Sequence, residues 1–337
     1  MKIVYFDVEH YEEEFLRTRN EGRYNYVLEK NALNDVSPIN SKYLDADVIS
    51  VFTTSRLSAQ VLSQFKKLKL IALRSVGFNH VDIEYCKEHH IVVENSPNYG
   101  NQSVAEFALA LLMDVLRKIT ISYLGYKEAK VFPSCLKGME LYGKTMGIVG
   151  LGAIGSTFAK ISYGLGMKIL GYDKVENDRL IKSYNVRYTD FDTLLRKSDF
   201  ISIHAPMSRE NYHMFDEESF DKMKNSAILI NTGRGELIDT SALFNALVNK
   251  KIAGAGLDVL ENEQTITDVD YMIGINRLDK LTLEQTIINS RLFQLENVIL
   301  TPHIAYNTEE AINRILSTTM ENIEQFGIGN IQNDIFL

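Results

Sequence analysis

Charged side chains that suit proton and hydride chemistry follow three apolar runs in the second half of the sequence, at Arg234, Glu263 and His303. An arginine can pair with a carboxylate through two parallel hydrogen bonds and can polarise a carbonyl group. A histidine can deliver or remove a proton near neutral pH, and a neighbouring carboxylate orients it and favours its charged form. We therefore expect Arg234 to bind a 2-oxo acid, His303 to act as acid/base, and Glu263 to support it.

Each of these residues also has a simpler interpretation. Arg234 could form a surface ion pair, Glu263 could be a solvated loop acid, and His303 could be a cap or a core histidine. Taken singly, each residue favours the simpler interpretation. Taken together they favour the functional one, because unrelated charges rarely gather at strand ends.

A glycine-rich turn lies between the predicted strand Thr145–Val149 and a predicted helix. Its residues, which match a GxGxxG pattern, are Gly150, Leu151, Gly152, Ala153, Ile154 and Gly155. The glycines allow a tight turn, and the helix N-terminus offers unpaired N–H groups to a pyrophosphate. The turn therefore predicts a dinucleotide site, and the alternative is a structural turn with a helix-capping aspartate.

An acidic residue, Asp173, ends the next predicted strand, 18 residues after Gly155 (173 − 155). This is close to the roughly 20 residues expected for the acid that binds an adenosine ribose. A carboxylate here accepts hydrogen bonds from the ribose hydroxyls but repels a 2′-phosphate, so NAD is favoured over NADP. Lys174 beside it slightly weakens that preference.

The elements that must position these residues alternate between short β-branched runs and helical patterns, which is typical of a parallel-sheet α/β fold. The first set of predicted strands is Ile3–Phe6, Asp47–Phe52, Leu70–Leu73 and Ile91–Val93, with a helix-like stretch at Leu57–Lys67. The second set is Thr145–Val149, Lys168–Tyr172, Phe200–His204, Ala227–Asn231, Ala255–Val259 and Val298–Thr301. Six buried strands in this second set suit a dinucleotide-binding sheet.

Two longer helices are predicted outside these sets. Ser103–Lys118 is expected to bridge the two sets of strands, and a last helix spans about Glu309 to Phe326. Periodicity does not decide which domain the last helix packs on. The polar segment Gln264–Glu296 has no clear strand pattern and is interpreted as an insertion.

Composition limits the possible partners. The chain has 337 residues and a formal charge of −8, so nucleic acid is an unexpected partner. Its longest apolar run, Phe107–Met113, is far shorter than the roughly 20 residues of a membrane span. An acid at Asp7 interrupts the N-terminal apolar run too soon for a signal peptide, and two cysteines imply no disulfide framework. We expect a cytoplasmic protein.

Several motifs together resemble the NAD-dependent D-2-hydroxyacid dehydrogenases, and within them the D-lactate dehydrogenase branch that includes the vancomycin-resistance enzymes. Besides the glycine-rich turn, they are Arg74–Asp82, Ser103–Glu106, Asn231–Gly235, Gly256–Val259 and Thr301–Tyr306. The resemblance implies an α/β fold with two domains, in which a Rossmann NAD-binding domain (101–305) is inserted in a flavodoxin-like substrate domain (1–100 plus 306–337). It also implies a homodimer.

The resemblance carries the family's functional residues onto matching positions of this chain. It implies the catalytic roles already given to Arg234, Glu263 and His303. Val76 and Gly77 match the loop whose backbone N–H groups hold the substrate carboxylate. Tyr99 matches a substrate-contacting tyrosine of the lactate branch, and Phe52 and Tyr306 match aromatic positions that line its pocket. The residues that match cofactor contacts are His204, Pro206, Thr232 and Asp258. No metal site is implied.

The chain departs from the wider family directly after Glu263, the expected partner of His303. Gln264 stands where many members have a proline, and His303 follows Glu263 by 40 residues (303 − 263), which fits the insertion of the lactate branch. The expected reaction is the reversible reduction of pyruvate, or a similar small 2-oxo acid, by NADH. The alternatives are a reductase of larger branched or aromatic 2-oxo acids and a non-catalytic NAD-sensing protein, which the presence of all three catalytic candidates disfavours.

Overall fold

The computed structural model describes residues 1–20, 24–129, 136–261, 263 and 280–336. The strands are β1 (Lys2–Tyr5), β2 (Asn25–Leu28), β3 (Val48–Val51), β4 (Leu70–Leu73), β5 (Val92–Glu94), β6 (Thr145–Val149), β7 (Lys168–Tyr172), β8 (Arg187–Tyr188), β9 (Phe200–Ile203), β10 (Ile228–Asn231), β11 (Gly254–Leu257) and β12 (Val298–Leu300). The helices are α1 (His10–Asn20), α2 (Ala59–Leu62), α3 (Ile83–Glu88), α4 (Asn101–Arg117), α5 (Ile119–Lys127), α6 (Ala153–Gly164), α7 (Asp178–Tyr184), α8 (Phe191–Lys197), α9 (Glu217–Lys222), α10 (Thr240–Val248), α11 (Lys280–Phe293) and α12 (Glu309–Gly327).

The chain divides into two compact units. Unit 1 comprises Met1–Tyr99 together with Asn307–Leu337, and unit 2 comprises Gly100–Tyr306. Unit 1 is therefore built from both ends of the chain, and unit 2 is one continuous segment.

Unit 1 contains a five-stranded parallel sheet in the order β2-β1-β3-β4-β5. This 2-1-3-4-5 order is that of flavodoxin-like folds. The last helix, α12, belongs to this unit, and its buried Leu316 and Ile323 pack with Ile3 and Leu70 of the sheet. Periodicity left open which domain the last helix packs on, and its buried apolar face shows that it packs on unit 1.

Unit 2 contains a seven-stranded parallel sheet in the order β12-β11-β10-β9-β6-β7-β8. Counted from β6, its first six strands have the order 3-2-1-4-5-6 of a dinucleotide-binding sheet, and β12 extends it by one strand. The predicted α/β class with two domains is confirmed by this architecture.

The carboxyl ends of six strands in unit 2 lie in one row. Strand pairing aligns, from one side of the sheet to the other, Tyr172, Val149, Ile203, Asn231, Leu257 and Leu300. In open α/β sheets, ligands bind outside this edge. Residues that directly follow these strand ends are therefore brought to one side of the sheet.

Some predicted elements need correction. The prediction missed two strands, β2 and β8, so unit 2 has seven strands rather than six. Helical structure within the predicted stretch Leu57–Lys67 is limited to α2, and several strand ends differ from the predicted ones by a residue. In the predicted insertion, α11 covers Lys280–Phe293, whereas 264–279 lie outside the described residues.

The predicted bridging helix is α4, and it packs within unit 2. A side chain at Gly254 would approach Val115 to 2.7 Å, and one at Gly256 would approach Leu111 to 2.9 Å. Strand β11 therefore needs small residues where α4 lies against it. Among the described residues, no helix is long and apolar enough to cross a membrane.

Candidate active site

The glycines of the turn after β6 are required for different reasons. Gly150 has a φ of +87°, and a Cβ there would lie 2.5 Å from the Ala205 nitrogen. A Cβ at Gly155 would lie 1.9 Å from the Gly150 carbonyl oxygen, so α6 can approach the turn this closely only with glycine. At Gly152, by contrast, a Cβ would meet no described atom within 4 Å. The packing of the chain does not require glycine there, whereas a ligand that approaches the backbone would.

The N-terminus of α6 offers free donors beside this turn. The helix begins at Ala153, and its N-cap, Gly152, makes no side-chain capping hydrogen bond. The first N–H groups of a helix, here those of Ala153, Ile154 and Gly155, have no acceptor within the helix. These donors and the positive end of the helix dipole fit a dinucleotide pyrophosphate.

Asp173 lies directly after β7 and contacts the same turn. Its Oδ2 accepts a hydrogen bond of 2.5 Å from the Leu151 N–H, and its Oδ1 accepts one of 3.3 Å from the Val175 N–H. Lys174 turns to Glu210, with 2.6 Å between Nζ and Oε2. The predicted ribose acid therefore lies beside the glycine-rich turn, and the neighbouring lysine is already paired.

His204 follows β9 and has both ring nitrogens bound within the protein. Its Nε2 lies 2.9 Å from the Ser202 hydroxyl, and its Nδ1 lies 3.3 Å from the Thr232 hydroxyl. Burial lowers the pKa of His204 to about 3. The ring is therefore neutral at physiological pH, which excludes it as the acid that protonates a substrate.

His303 and Glu263 form the hydrogen-bonded pair that the sequence predicted. His303 Nδ1 lies 2.7 Å from Glu263 Oε1, and the imidazole is half-exposed. Burial lowers the pKa of His303, but the hydrogen bond and the charge of Glu263, aided by the charge of Asp258, outweigh burial and raise it above its ordinary value. Because Nδ1 is held by Glu263, Nε2 is the nitrogen left to exchange a proton with a substrate.

Asp258 fixes the loop that carries His303. Its buried carboxylate accepts hydrogen bonds from the Thr301 hydroxyl, the Ile304 N–H and the Ala305 N–H, at 2.5, 3.0 and 2.8 Å. Its own carbonyl accepts a bond of 2.9 Å from the His303 N–H. His303 has a φ of +54°, a left-handed conformation that is costly for a residue other than glycine. These bonds offset that cost and set the direction of the ring.

Burial raises the pKa of Asp258, although its three hydrogen bonds and the charge of His303 oppose this. The carboxylate is only 1% exposed and is satisfied by the chain itself. Its contacts thus position the loop that carries His303.

Arg234 lies in a tight turn after β10. Buried Asn231 closes the turn, because its side-chain amide donates to the Arg234 carbonyl at 2.9 Å while its Oδ1 accepts from the Gly233 N–H at 3.0 Å. One terminal nitrogen of the guanidinium donates to the Gly233 carbonyl at 2.8 Å, which is the group's only hydrogen bond to a described residue. The charge of Arg234 lowers the pKa of His303, so the two side chains are within electrostatic range.

Val76 and Gly77 lie in unit 1, in the loop that follows β4. Arg74 anchors the start of this loop: it is fully buried and donates hydrogen bonds to Glu12, Ser50 and two backbone carbonyls. Asn95 donates to the Val76 carbonyl at 2.9 Å. Within the part of the chain that the structure describes, the N–H groups of Val76 and Gly77 make no hydrogen bond, and two such donors fit a carboxylate.

The remaining predicted residues are distributed over both units. Phe52 and Tyr99 lie in unit 1 and are partly buried, as is Tyr306, which ends unit 2. The Tyr99 carbonyl accepts a hydrogen bond of 2.9 Å from Arg314. Pro206 and Thr232 both follow strands of unit 2, and Thr232 contacts His204 as described above.

Glu261 and His213 form a second glutamate–histidine pair that the sequence patterns did not predict. Glu261 lies only two residues before Glu263, and its Oε1 is 2.9 Å from His213 Nε2. Spacing alone offers no means of choosing which of the two glutamates pairs with His303. His213 follows no predicted strand, so no signal in the sequence identified it.

Comparison with known families identifies this arrangement. A family model described as "D-isomer specific 2-hydroxyacid dehydrogenase, NAD binding domain" matches residues 109–305. This range lies within unit 2 and includes the glycine-rich turn, Arg234, Glu263 and His303.

Curated relatives match almost the whole chain but differ in the substrates that their names state. A 2-hydroxyacid dehydrogenase homolog from Haemophilus influenzae is 35% identical, over 100% of this chain and 99% of the relative. The D-lactate dehydrogenase of Escherichia coli is 34% identical, over 98% of both chains. A glyoxylate reductase from Thermococcus litoralis is 37% identical, over 86% of this chain and 83% of the relative.

Solved structures also match over almost the whole length. The D-lactate dehydrogenase of Aquifex aeolicus, solved with NAD and lactic acid, has a TM-score of 0.83 and 33% identity, and the match covers 97% of this chain and 96% of that chain. A D-2-hydroxyisocaproate dehydrogenase has a TM-score of 0.82 and 27% identity, with 99% of each chain covered.

Proposed function

Because the chain belongs to the D-isomer specific 2-hydroxyacid dehydrogenase family and has that family's NAD-binding domain, we propose that it reversibly reduces pyruvate, or a similar small 2-oxo acid, to the D-2-hydroxy acid with NADH. The observation that carries the proposal is the 2.7 Å contact between Glu263 and a half-exposed His303. NADH, when bound, supplies the hydride that the carbonyl carbon accepts.

His303 is proposed as the acid in the direction of reduction. The charged ring donates its Nε2 proton to the carbonyl oxygen of the substrate, and Glu263 holds the other nitrogen. In the direction of oxidation, the neutral ring removes the hydroxyl proton at the same nitrogen. A raised pKa keeps a larger fraction of the ring protonated near neutral pH, which favours reduction.

Arg234 is proposed to bind and polarise the 2-oxo acid. Its guanidinium presents several N–H donors in a plane, and it makes only one hydrogen bond to a described residue, the Gly233 carbonyl. It also stabilises the negative charge that develops on the carbonyl oxygen during reduction.

The N–H groups of Val76 and Gly77 are proposed to hold the carboxylate of the substrate. Two neighbouring backbone donors can bind an anion without adding a charged side chain that would need its own partner. The buried Arg74 keeps the start of their loop in place.

NAD is held, in this proposal, by the glycine-rich turn and Asp173. The other proposed cofactor contacts are His204, Pro206, Thr232 and Asp258, as the resemblance implied. His204 and Asp258 would act largely by shape and position, because their polar atoms are already bound within the chain.

The size of the substrate is the finer part of the proposal. Phe52, Tyr99 and Tyr306 are proposed to limit the pocket, and pyruvate is favoured because relatives named D-lactate dehydrogenases match almost the full length. The similarity to a D-2-hydroxyisocaproate dehydrogenase supports a branched 2-oxo acid as the second candidate. A homodimer and a cytoplasmic location stay predictions.

The test is a comparison of initial rates with NADH and pyruvate, glyoxylate, hydroxypyruvate, 4-methyl-2-oxopentanoate and phenylpyruvate. We expect the highest kcat/KM with pyruvate and a product of D configuration. A higher kcat/KM with a branched or aromatic acid would replace pyruvate as the substrate. Binding of NADH without turnover of any of these acids would favour the NAD-sensing alternative.

A further inference from the structure

Glu261 and Glu263 point to two different histidines. Glu263 contacts His303, as described above, whereas Glu261 lies in a separate polar cluster in which its side chain is 12% exposed. Glu261 Oε1 accepts hydrogen bonds from the Tyr212 hydroxyl at 3.0 Å and from His213 Nε2 at 2.9 Å. Its Oε2 accepts one of 3.3 Å from the buried Thr240 hydroxyl.

The backbone at Glu261 is held as firmly as its side chain. Its carbonyl accepts a hydrogen bond of 3.1 Å from the fully buried side chain of Asn289, on α11. A Cβ at Gly235, next to Arg234, would lie 2.3 Å from the Glu261 nitrogen, so the turn that carries Arg234 packs directly on this residue. Glu261 thus occupies a fixed position relative to the Arg234 turn.

Glu261 is connected to His303 by two hydrogen bonds between Leu260 and Glu263. The Glu263 N–H donates to the Leu260 carbonyl at 3.3 Å, and the Leu260 N–H donates to Glu263 Oε2 at 3.2 Å. The second of these bonds orients the carboxylate whose other oxygen meets His303. A shift of this turn would therefore move the partner of the catalytic ring.

We propose that Glu261 is a positioning residue, which holds the Leu260/Glu263 turn through Tyr212, His213 and Thr240 and thereby keeps the Glu263 carboxylate against His303. The proposal rests on the proposed function of His303 as acid/base. Among the described contacts, Glu261 touches neither the imidazole of His303 nor the guanidinium of Arg234.

Two variants separate the effect of the position of the Glu261 side chain from the effect of its charge. The double variant Tyr212→Phe/His213→Gly removes both donors to Oε1 but keeps the charge of Glu261. Glycine suits residue 213, because His213 has a φ of +52° and glycine adopts the left-handed conformation without steric cost. The variant Glu261→Gln removes the charge but keeps an acceptor of the same shape. Both alter partly exposed or conservative groups, so the fold is expected to remain.

The readout is the pKa of His303, taken from the NMR titration of its ring and from the alkaline limb of kcat/KM for pyruvate reduction. The groups that act on this ring are Glu263, Asp258 and Arg234. We expect the double variant to lower the pKa of His303, because the Glu263 contact loosens, and to reduce kcat/KM about ten- to a hundredfold. Glu261→Gln is expected to leave the pKa and kcat/KM near wild-type values.

The opposite pattern would overturn the proposal. If Glu261 acted only through its charge, Glu261→Gln would lower the pKa of His303, while the double variant would leave it unchanged or raise it. Glu218→Ala, in which an exposed glutamate paired with Lys222 is removed, serves as the control for loss of one charge in the same unit.

The two readouts also separate this proposal from the proposed function. If the wild-type protein turned over no 2-oxo acid, the proposed function would fail, while the NMR titration would still report whether Glu261 positions Glu263. If wild-type turnover were normal and the double variant left the His303 titration unchanged, only the role of Glu261 would fail.

Discussion

At the residue scale, His204 and His303 show how the surroundings decide what a histidine can do. Both follow strands of the same sheet, yet His204 is partly buried with both ring nitrogens hydrogen-bonded, and its pKa falls to about 3. His303 is half-exposed, is paired with Glu263, and has a raised pKa. Of these two histidines, only His303 can carry an exchangeable proton near neutral pH.

Glu263→Gln should move the pH dependence of pyruvate reduction to lower pH. The raised pKa of His303 means that the protonated ring is present below this pKa and is lost as pH rises through it. Without the charge of Glu263 the pKa falls, so the alkaline limb of kcat/KM begins at lower pH. The measurement is a pH profile of kcat/KM for both proteins. A limb at the same pH in both would remove Glu263 from this role.

Arg234→Lys should lower kcat/KM for pyruvate by about a hundredfold or more, because one ammonium cannot replace a planar set of donors. Steady-state kinetics with NADH measures the loss, and the Tm of the variant checks that its fold is intact. A rate near that of the wild-type protein would mean that the 2-oxo acid is bound elsewhere.

The residue types at the site could be predicted, but not all their pairings. The expected partner of His303 was Glu263, and Glu263 Oε1 lies 2.7 Å from His303 Nδ1 in the structure. The proposed role of Glu261 depends on Tyr212 and His213, which are distant in sequence, and hydrophobic periodicity does not report such contacts.

At the element scale, burial explains which strands could be predicted. Strands buried on both faces, such as Phe200–Ile203, read as continuous apolar runs and were identified with nearly correct ends. Asn25–Leu28 is a partly exposed strand at the edge of its sheet, and Arg187–Tyr188 has only two residues. Neither segment has an apolar pattern strong enough to predict a strand from the sequence.

The glycine-rich turn gives a prediction for two neighbouring positions. Gly155→Ala should destabilise the protein by about 1–3 kcal/mol, because its Cβ would meet the Gly150 carbonyl at 1.9 Å. Gly152→Ala should change stability by no more than about 0.5 kcal/mol, yet weaken NADH binding about tenfold or more, a change of about 1.4 kcal/mol. Urea unfolding and NADH titration measure the two effects. Equal NADH affinity in Gly152→Ala and wild type would place the pyrophosphate elsewhere.

At the scale of the whole molecule, the chain builds unit 1 from both of its ends and unit 2 from its middle. Periodicity predicted the last helix almost to the residue, Glu309–Gly327, but could not assign it to a unit, because an apolar face does not identify the surface that covers it. Only the resemblance to a known family supplied that long-range connection.

NADH should stabilise the whole protein more than NADPH does. A ligand at a hundred times its Kd raises the free energy of unfolding by about 2.7 kcal/mol. Asp173 repels a 2′-phosphate, and Lys174 is paired with Glu210, so NADPH at the same concentration should raise the Tm less. Thermal unfolding measures both shifts, and Asp173→Ala should narrow the difference. Equal shifts in the wild-type protein would mean that another residue reads the ribose.

The most direct test of the account compares wild type with His303→Ala in the reduction of pyruvate by NADH, followed by chiral analysis of the product. We predict D-lactate from the wild-type protein and a kcat lower by about a hundredfold or more in the variant, with similar NADH binding in both. A variant that reduces pyruvate as fast as the wild-type protein, or a wild-type product of L configuration, would contradict the account.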